Sequence, residues 1–208
     1  MQKLAYLLLL CSVVLPQDRP QRVVKRRTIF SKELPAAEFT VGKGFSYLGG
    51  QVVNLYGNAD AEQHLFVHVK DGLVTRFCWL QFEHFLPTNK MTYDYPSERA
   101  AKIGDLDFLY DVRGYAKYAT LNAEDPGSDG AAVSRLLAKK QLVLPQRAAR
   151  LRLIHLPTTD RRTELMIIYG EALDLNISGD RVALDDAYPE VAKRVLDHAR
   201  ESLTIRAH

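Results

Sequence analysis

At 208 residues, with 47% hydrophobic and 25% charged side chains, the chain has room for one domain with a sizeable core and matches an ordinary globular composition. Its net charge of +3 is concentrated at one end: Lys3, Arg19, Arg22, Lys25, Arg26 and Arg27 stand against Asp18 alone in the first 30 residues, which leaves the rest slightly acidic. A body so close to neutral lacks the basic footprint of a nucleic-acid binder, and two cysteines, Cys11 and Cys78, exclude a disulfide-stapled scaffold.

Residues 1–17 carry an apolar run from Leu4 to Leu15 behind Lys3. The run has the length of a signal-peptide core and is too short for a transmembrane span. No small-residue cleavage site follows it and basic residues lie just downstream, which opposes cleavage; export to the periplasm or the exterior is still favoured over a cytoplasmic location. Residues 18–38, basic and holding Pro20 and Pro35, are expected to form a linker, and 39–208 a single α+β domain.

A strand is predicted over Gln51–Tyr56, followed by a hairpin from His64 to Leu86. Its turn is Asp71-Gly72, a dipeptide suited to the positive φ angles of a two-residue loop. With Lys70 opposite Leu73, strict alternation places His64, Phe66 and His68 on one face with Trp79, Phe77 and Thr75. Tyr93, Asp94 and Tyr95 fall on a loop that could cover that face or simply pack down by its rings. Asp105–Arg113 alternates as a half-exposed strand, with Asp105, Asp107 and Asp111 read as a solvated row.

Ser128 or Asp129 can cap a helix ending before Pro145. A second hairpin joins Ala149–Leu156 to Glu164–Glu171, with Arg161 and Arg162 at its tip, and a helix from about Pro189 ends the chain. That helix buries Ala192, Val195, Leu196, Ala199 and Leu203 as one stripe. The fold class is therefore α+β: a curved antiparallel sheet of about six or seven strands, packed by an inserted helix and a C-terminal helix.

For function, the hairpin face offers an apolar wall with polar anchors, His64, Phe66, His68, Phe77, Trp79 and Gln81. The leading expectation is a non-catalytic module that holds a small, mostly apolar molecule or a partner protein there; the competing explanation is ordinary core packing. An acid–base enzyme using His64 or His68 with Glu83 or Asp94 is the alternative, and a structural or interaction protein of the cell envelope is a third. Strand spacing separates the Cα atoms of His64 and His68 by about 13 Å, so neither a metal site nor a cofactor is expected. Cys78, on an apolar face, is expected to be inert. Asn176-Ile-Ser178 fits a glycosylation acceptor, and no nucleotide-loop, zinc-protease or serine-hydrolase motif occurs.

Overall fold

The structure, a computed structural model, describes residues 20–96 and 99–208. The expectations placed on residues 1–17, the export signal included, lie outside the described residues. Strands dominate, and they form two open antiparallel sheets.

The smaller sheet contains β1 (Val23–Lys25), β2 (Thr28–Ser31), β3 (Ala37–Val41) and β12 (Leu203–Ala207), in that order. Two corrections follow from it. The stretch expected as linker supplies β1, β2 and the start of β3, and the chain does not end in its last helix but in β12, which pairs with β3.

The larger sheet contains β4 (Ser46–Leu55), β5 (Ala59–Lys70), β6 (Leu73–Phe85), β7 (Ala100–Ile103), β8 (Leu106–Tyr115), β9 (Ala148–His155), β10 (Thr163–Ala172) and β11 (Arg181–Ala183). Its order is β11-β8-β9-β10-β6-β5-β4, with β7 beside the first residues of β8, so the sheet has eight strands where six or seven were expected. Among the described residues the helices are α1 (Tyr118–Glu124), α2 (Asp129–Ala138), α3 (Leu184–Ala187) and α4 (Pro189–Ser202).

The layers follow from the side-chain patterns. On one face of the large sheet, α4 and the small sheet enclose Phe66, Cys78, Leu80, Phe82, Leu151, Leu153, Val195 and Ile205. Pro189 opens α4, and Ala192, Val195, Leu196 and Ala199 form its buried stripe. On the other face, α1 and α2 cover Leu65, Val67, Phe77, Trp79, Met166 and Ile168. The Ser128 hydroxyl caps α2 by accepting a 3.1 Å hydrogen bond from the Ala131 N–H.

The central hairpin turns where the sequence places it, with Asp71 at φ 51° and Gly72 at φ 78°. Its register departs from the expected one within two pairs. Lys70 opposes Leu73 and Val69 opposes Val74, but His68 then opposes Arg76, leaving Thr75 as the extra residue of a β-bulge. The Thr75 hydroxyl holds the irregularity, lying 2.7 Å from His68 Nδ1 and donating to the His68 carbonyl at 3.3 Å. Beyond the bulge every residue of β6 changes its partner: Phe66 opposes Cys78, Leu65 opposes Trp79 and His64 opposes Leu80.

Candidate functional site

The bulge divides the six residues expected to share a binding face. His64, Phe66 and His68 lie on the side of α4 and the small sheet, whereas Phe77, Trp79 and Gln81 lie on the side of α2. Phe66, Phe77 and Trp79 are packed core residues, and His64 is fully buried. Its Nε2 lies 2.7 Å from Glu62 Oε1 and its Nδ1 is 3.0 Å from the Tyr47 hydroxyl. Glu62 also takes the Arg22 guanidinium at 3.0 Å, which joins the N-terminal strand segment to the large sheet. Burial would raise the Glu62 carboxyl, but hydrogen bonds from His64 and the Arg22 backbone and the Arg22 charge hold it down at about 2. This cluster is saturated and reads as structural.

The expected pairing of a histidine with Glu83 or Asp94 does not form. Glu83 lies on the opposite face of the sheet from His64, and the exposed Asp94 bonds Arg161 at 3.1 Å. Of the aspartate row, Asp105 and Asp107 are exposed as expected, but Asp111 is half-buried beside Arg113, Arg150 and Arg152, with its closest contact 2.5 Å to Arg152 Nη2. Cys78 is fully buried and unpaired, and burial pushes its thiol up, away from reactivity.

The register that dismantles the expected face builds another site. In the β10–β6 ladder, Glu164 stands directly opposite Glu83, both on the α2 side of the sheet. Their exposures are 8% for Glu83 and 2% for Glu164, so two carboxyl groups are buried side by side. They form part of the floor of a cleft of about 360 Å³ whose walls include Tyr56, Phe85, Met91, Tyr95 and Met166. A smaller hollow of about 210 Å³ shares Tyr95 and Arg152 with it.

Each carboxyl group has its own donors. Glu83 accepts from the Tyr93 hydroxyl at 2.8 Å and from Gln81 Nε2 at 2.7 Å. Gln81 in turn accepts from Gln63, and Gln63 from Gln51, each at 2.8 Å, so three amides across adjacent strands are aligned with their dipoles toward Glu83. Glu164 accepts from the Tyr95 hydroxyl. The loop ahead of β7 therefore does pack by its rings, with Tyr93 stacked on Phe85 at 4.3 Å and the Tyr93 backbone bonded to Arg161.

Burial raises both carboxyl groups above their ordinary range. For Glu164 burial is the main cause and the charge of Glu83 adds to it, against the Tyr95 bond and Arg152, which brings it to about 8. For Glu83 burial is again first, opposed by the Tyr93 and Gln81 bonds. The better-solvated member is Glu83, with a donor on each oxygen, so Glu164 is the natural holder of a proton shared by the pair.

Comparison with protein-family models, with curated proteins and with solved structures returns no match. The site therefore rests on its own chemistry. Among the described residues no group of three His, Cys, Asp or Glu side chains is placed to hold a metal ion, and no helix is long and apolar enough to cross a membrane.

Sequence reasoning singled out Glu83 and the Tyr93–Tyr95 loop but missed Glu164 and Arg152 as parts of this site. A signal was available: Glu164 heads the apolar stretch Leu165–Tyr169. A carboxylate in such a strand is either buried with partners or functional.

Proposed function

We propose that this protein is a small-ligand binding module whose site is the cleft above Glu83 and Glu164, not a face shared by His64, Phe66, His68, Phe77, Trp79 and Gln81. The observation that carries the reading is the buried carboxyl pair at the floor of an apolar-walled cleft. Pockets of this kind combine apolar walls with a few placed polar groups, and their volumes run from about 300 to 1,000 Å³. Tyr56 and Met91 support it as well: both line the cleft and are 60% and 63% exposed, apolar surface that a ligand would cover.

The test is a thermal-shift screen of compounds of mixed charge and polarity against the wild type and a Tyr56→Ala variant. Compounds that stabilise the wild type and lose that effect in Y56A support the cleft. A screen with no stabilising compound would end the reading.

A second reading is favoured by the raised carboxyl pair. Acid–base catalysis needs one protonated and one ionised group at neutral pH; Glu164, raised to about 8, suits the first role, and Glu83, with a donor on each oxygen, the second. Glu164 would donate the proton and Glu83 would receive one, with no histidine involved. Turnover of chromogenic glycosides or esters that disappears in both Glu164→Gln and Glu83→Gln would support it, and equal rates in wild type and variants would remove it.

A further inference from the structure

We propose that the cleft takes a small organic cation, a primary or secondary amine in its ammonium form, with its nitrogen bound between Glu83 and Glu164 and its carbon skeleton laid along the aromatic and thioether walls. The proposal rests on the binding reading above and adds the class of ligand.

Charge balance is the first reason. Glu83 and Glu164 face one another in the ladder and are almost fully buried. The cation that lines the cleft, Arg152, is already engaged by Asp111, through Nε at 2.8 Å and Nη2 at 2.5 Å. With one proton held, the pair still carries a negative charge, Asp129 on the cleft wall adds to it, and Arg152 is turned to Asp111 without a hydrogen bond to either glutamate, so the cleft favours a positively charged guest.

Hydrogen-bond capacity is the second. A carboxylate offers about four acceptor sites, and the two donors to Glu83 and the one from Tyr95 to Glu164 leave room for ammonium N–H groups on both. The walls are the third reason. Tyr56, Phe85 and Tyr95 present ring surface to the cleft, and Met91 and Met166 add polarizable thioethers, which together suit an alkyl or aryl ammonium through cation–π and apolar contact.

Other guests fit less well. A divalent metal wants six or more oxygen ligands, and although Asp129 also lines the cleft, no three acidic, His or Cys side chains among the described residues are placed to hold one. An anion would meet two carboxyl groups. A neutral alcohol would find acceptors but leave the charge uncompensated. Because the pair holds a proton near neutrality, an incoming ammonium displaces it, and binding releases a proton to the solvent.

The experiment is calorimetric titration of the full chain at pH 7.5 with 2-phenylethylamine, tyramine and 1,5-diaminopentane. The matched controls are 2-phenylethanol, phenylacetate and calcium chloride, and the amine titrations are repeated in two buffers of different ionisation enthalpy. At least one amine is expected to bind tenfold or more tightly than 2-phenylethanol, with a buffer-dependent heat that reports proton release. Its affinity is expected to fall at least tenfold in both Glu164→Gln and Glu83→Gln, and in Tyr56→Ala, which leaves the carboxyl pair intact. Equal or tighter binding of the alcohol or the carboxylate, sensitive to Y56A, would overturn the cation inference and leave the binding module standing. Calcium binding that is lost in E164Q would overturn it in favour of a metal site. Binding of none of these probes would overturn both.

Discussion

Glu83 and Glu164 oppose each other across β6 and β10, and among the described residues neither has an arginine or lysine as its direct hydrogen-bond partner; their donors are two phenols and an amide. Neutral donors stabilise a carboxylate without cancelling its charge. Two such groups buried together therefore resist ionising together, and the second proton is held well above the ordinary carboxylate range. Placing both at the floor of a cleft makes that stored repulsion available to whatever binds there.

The pair has a direct consequence for stability. A carboxyl group raised from 4.5 to about 8 on folding binds more protons in the folded state than in the unfolded one between those limits. Stability should therefore fall as pH rises from about 4.5 toward about 8, by on the order of 3–5 kcal/mol for Glu164. Glu164→Gln removes the titration while keeping an acceptor for Tyr95. Urea unfolding at several pH values between 5 and 9 should show a marked decline for the wild type and a much flatter line for the variant. Parallel lines would show that Glu164 titrates normally.

Glu62 has the opposite sign. Its folded carboxyl is held at about 2 against 4.5, so its stabilisation is complete above the ordinary value and is lost as pH falls from about 4.5 to about 2. The loss should be on the order of 3 kcal/mol. Glu62→Gln should flatten this acid limb and weaken the protein at neutral pH by about 2–4 kcal/mol, because Arg22 and His64 lose their shared anion. A variant that keeps the steep acid limb would place that limb elsewhere.

Gly170 permits the packing of the α2 side of the sheet. A Cβ there would lie 2.0 Å from the Phe77 ring, which stacks on Tyr118 at 5.5 Å. Gly170→Ala should cost about 1–3 kcal/mol through overpacking. Phe77→Leu shortens the obstructing side chain, so G170A measured in that background should cost clearly less. Additive effects in this double-mutant cycle would mean the two sites are not in contact.

Much of the architecture could be read from local signals. The Asp71-Gly72 turn, the Ser128 cap and the stripe Ala192, Val195, Leu196 and Ala199 are each set by a few neighbouring residues, and each stands where expected. The bulge was hidden because it depends on one hydroxyl, that of Thr75, closing on His68, and a period-2 pattern carries no mark of that. The pairing of β12 with β3 joins segments more than 160 residues apart, and β12 looks like a helical continuation until β3 is there to receive it. The site was obscured for the same reason. Glu83 was visible as a candidate, but its partner is fixed by the β10–β6 register, a long-range choice made by packing.

Tyr95 offers the sharpest test of which group carries the proton. Its hydroxyl donates to Glu164, which favours the ionised form, while its ring runs parallel to Tyr93 and lies under Arg152 at 5.4 Å. Tyr95→Phe keeps the ring and removes only the donor. The Glu164 midpoint should then rise further, and the alkaline decline in stability should move to higher pH with it. Tyr93→Phe removes a donor from Glu83 instead, so it should raise the Glu83 midpoint, and Glu164, facing less negative charge, should ionise more readily. Carbon-detected NMR titration of the side-chain carboxyls reads both groups at once. Opposite displacements of Glu164 in the two variants follow from a proton shared by the pair with Glu164 as its main holder. A Glu164 midpoint that does not move in Tyr93→Phe would mean the two carboxyls titrate as independent groups.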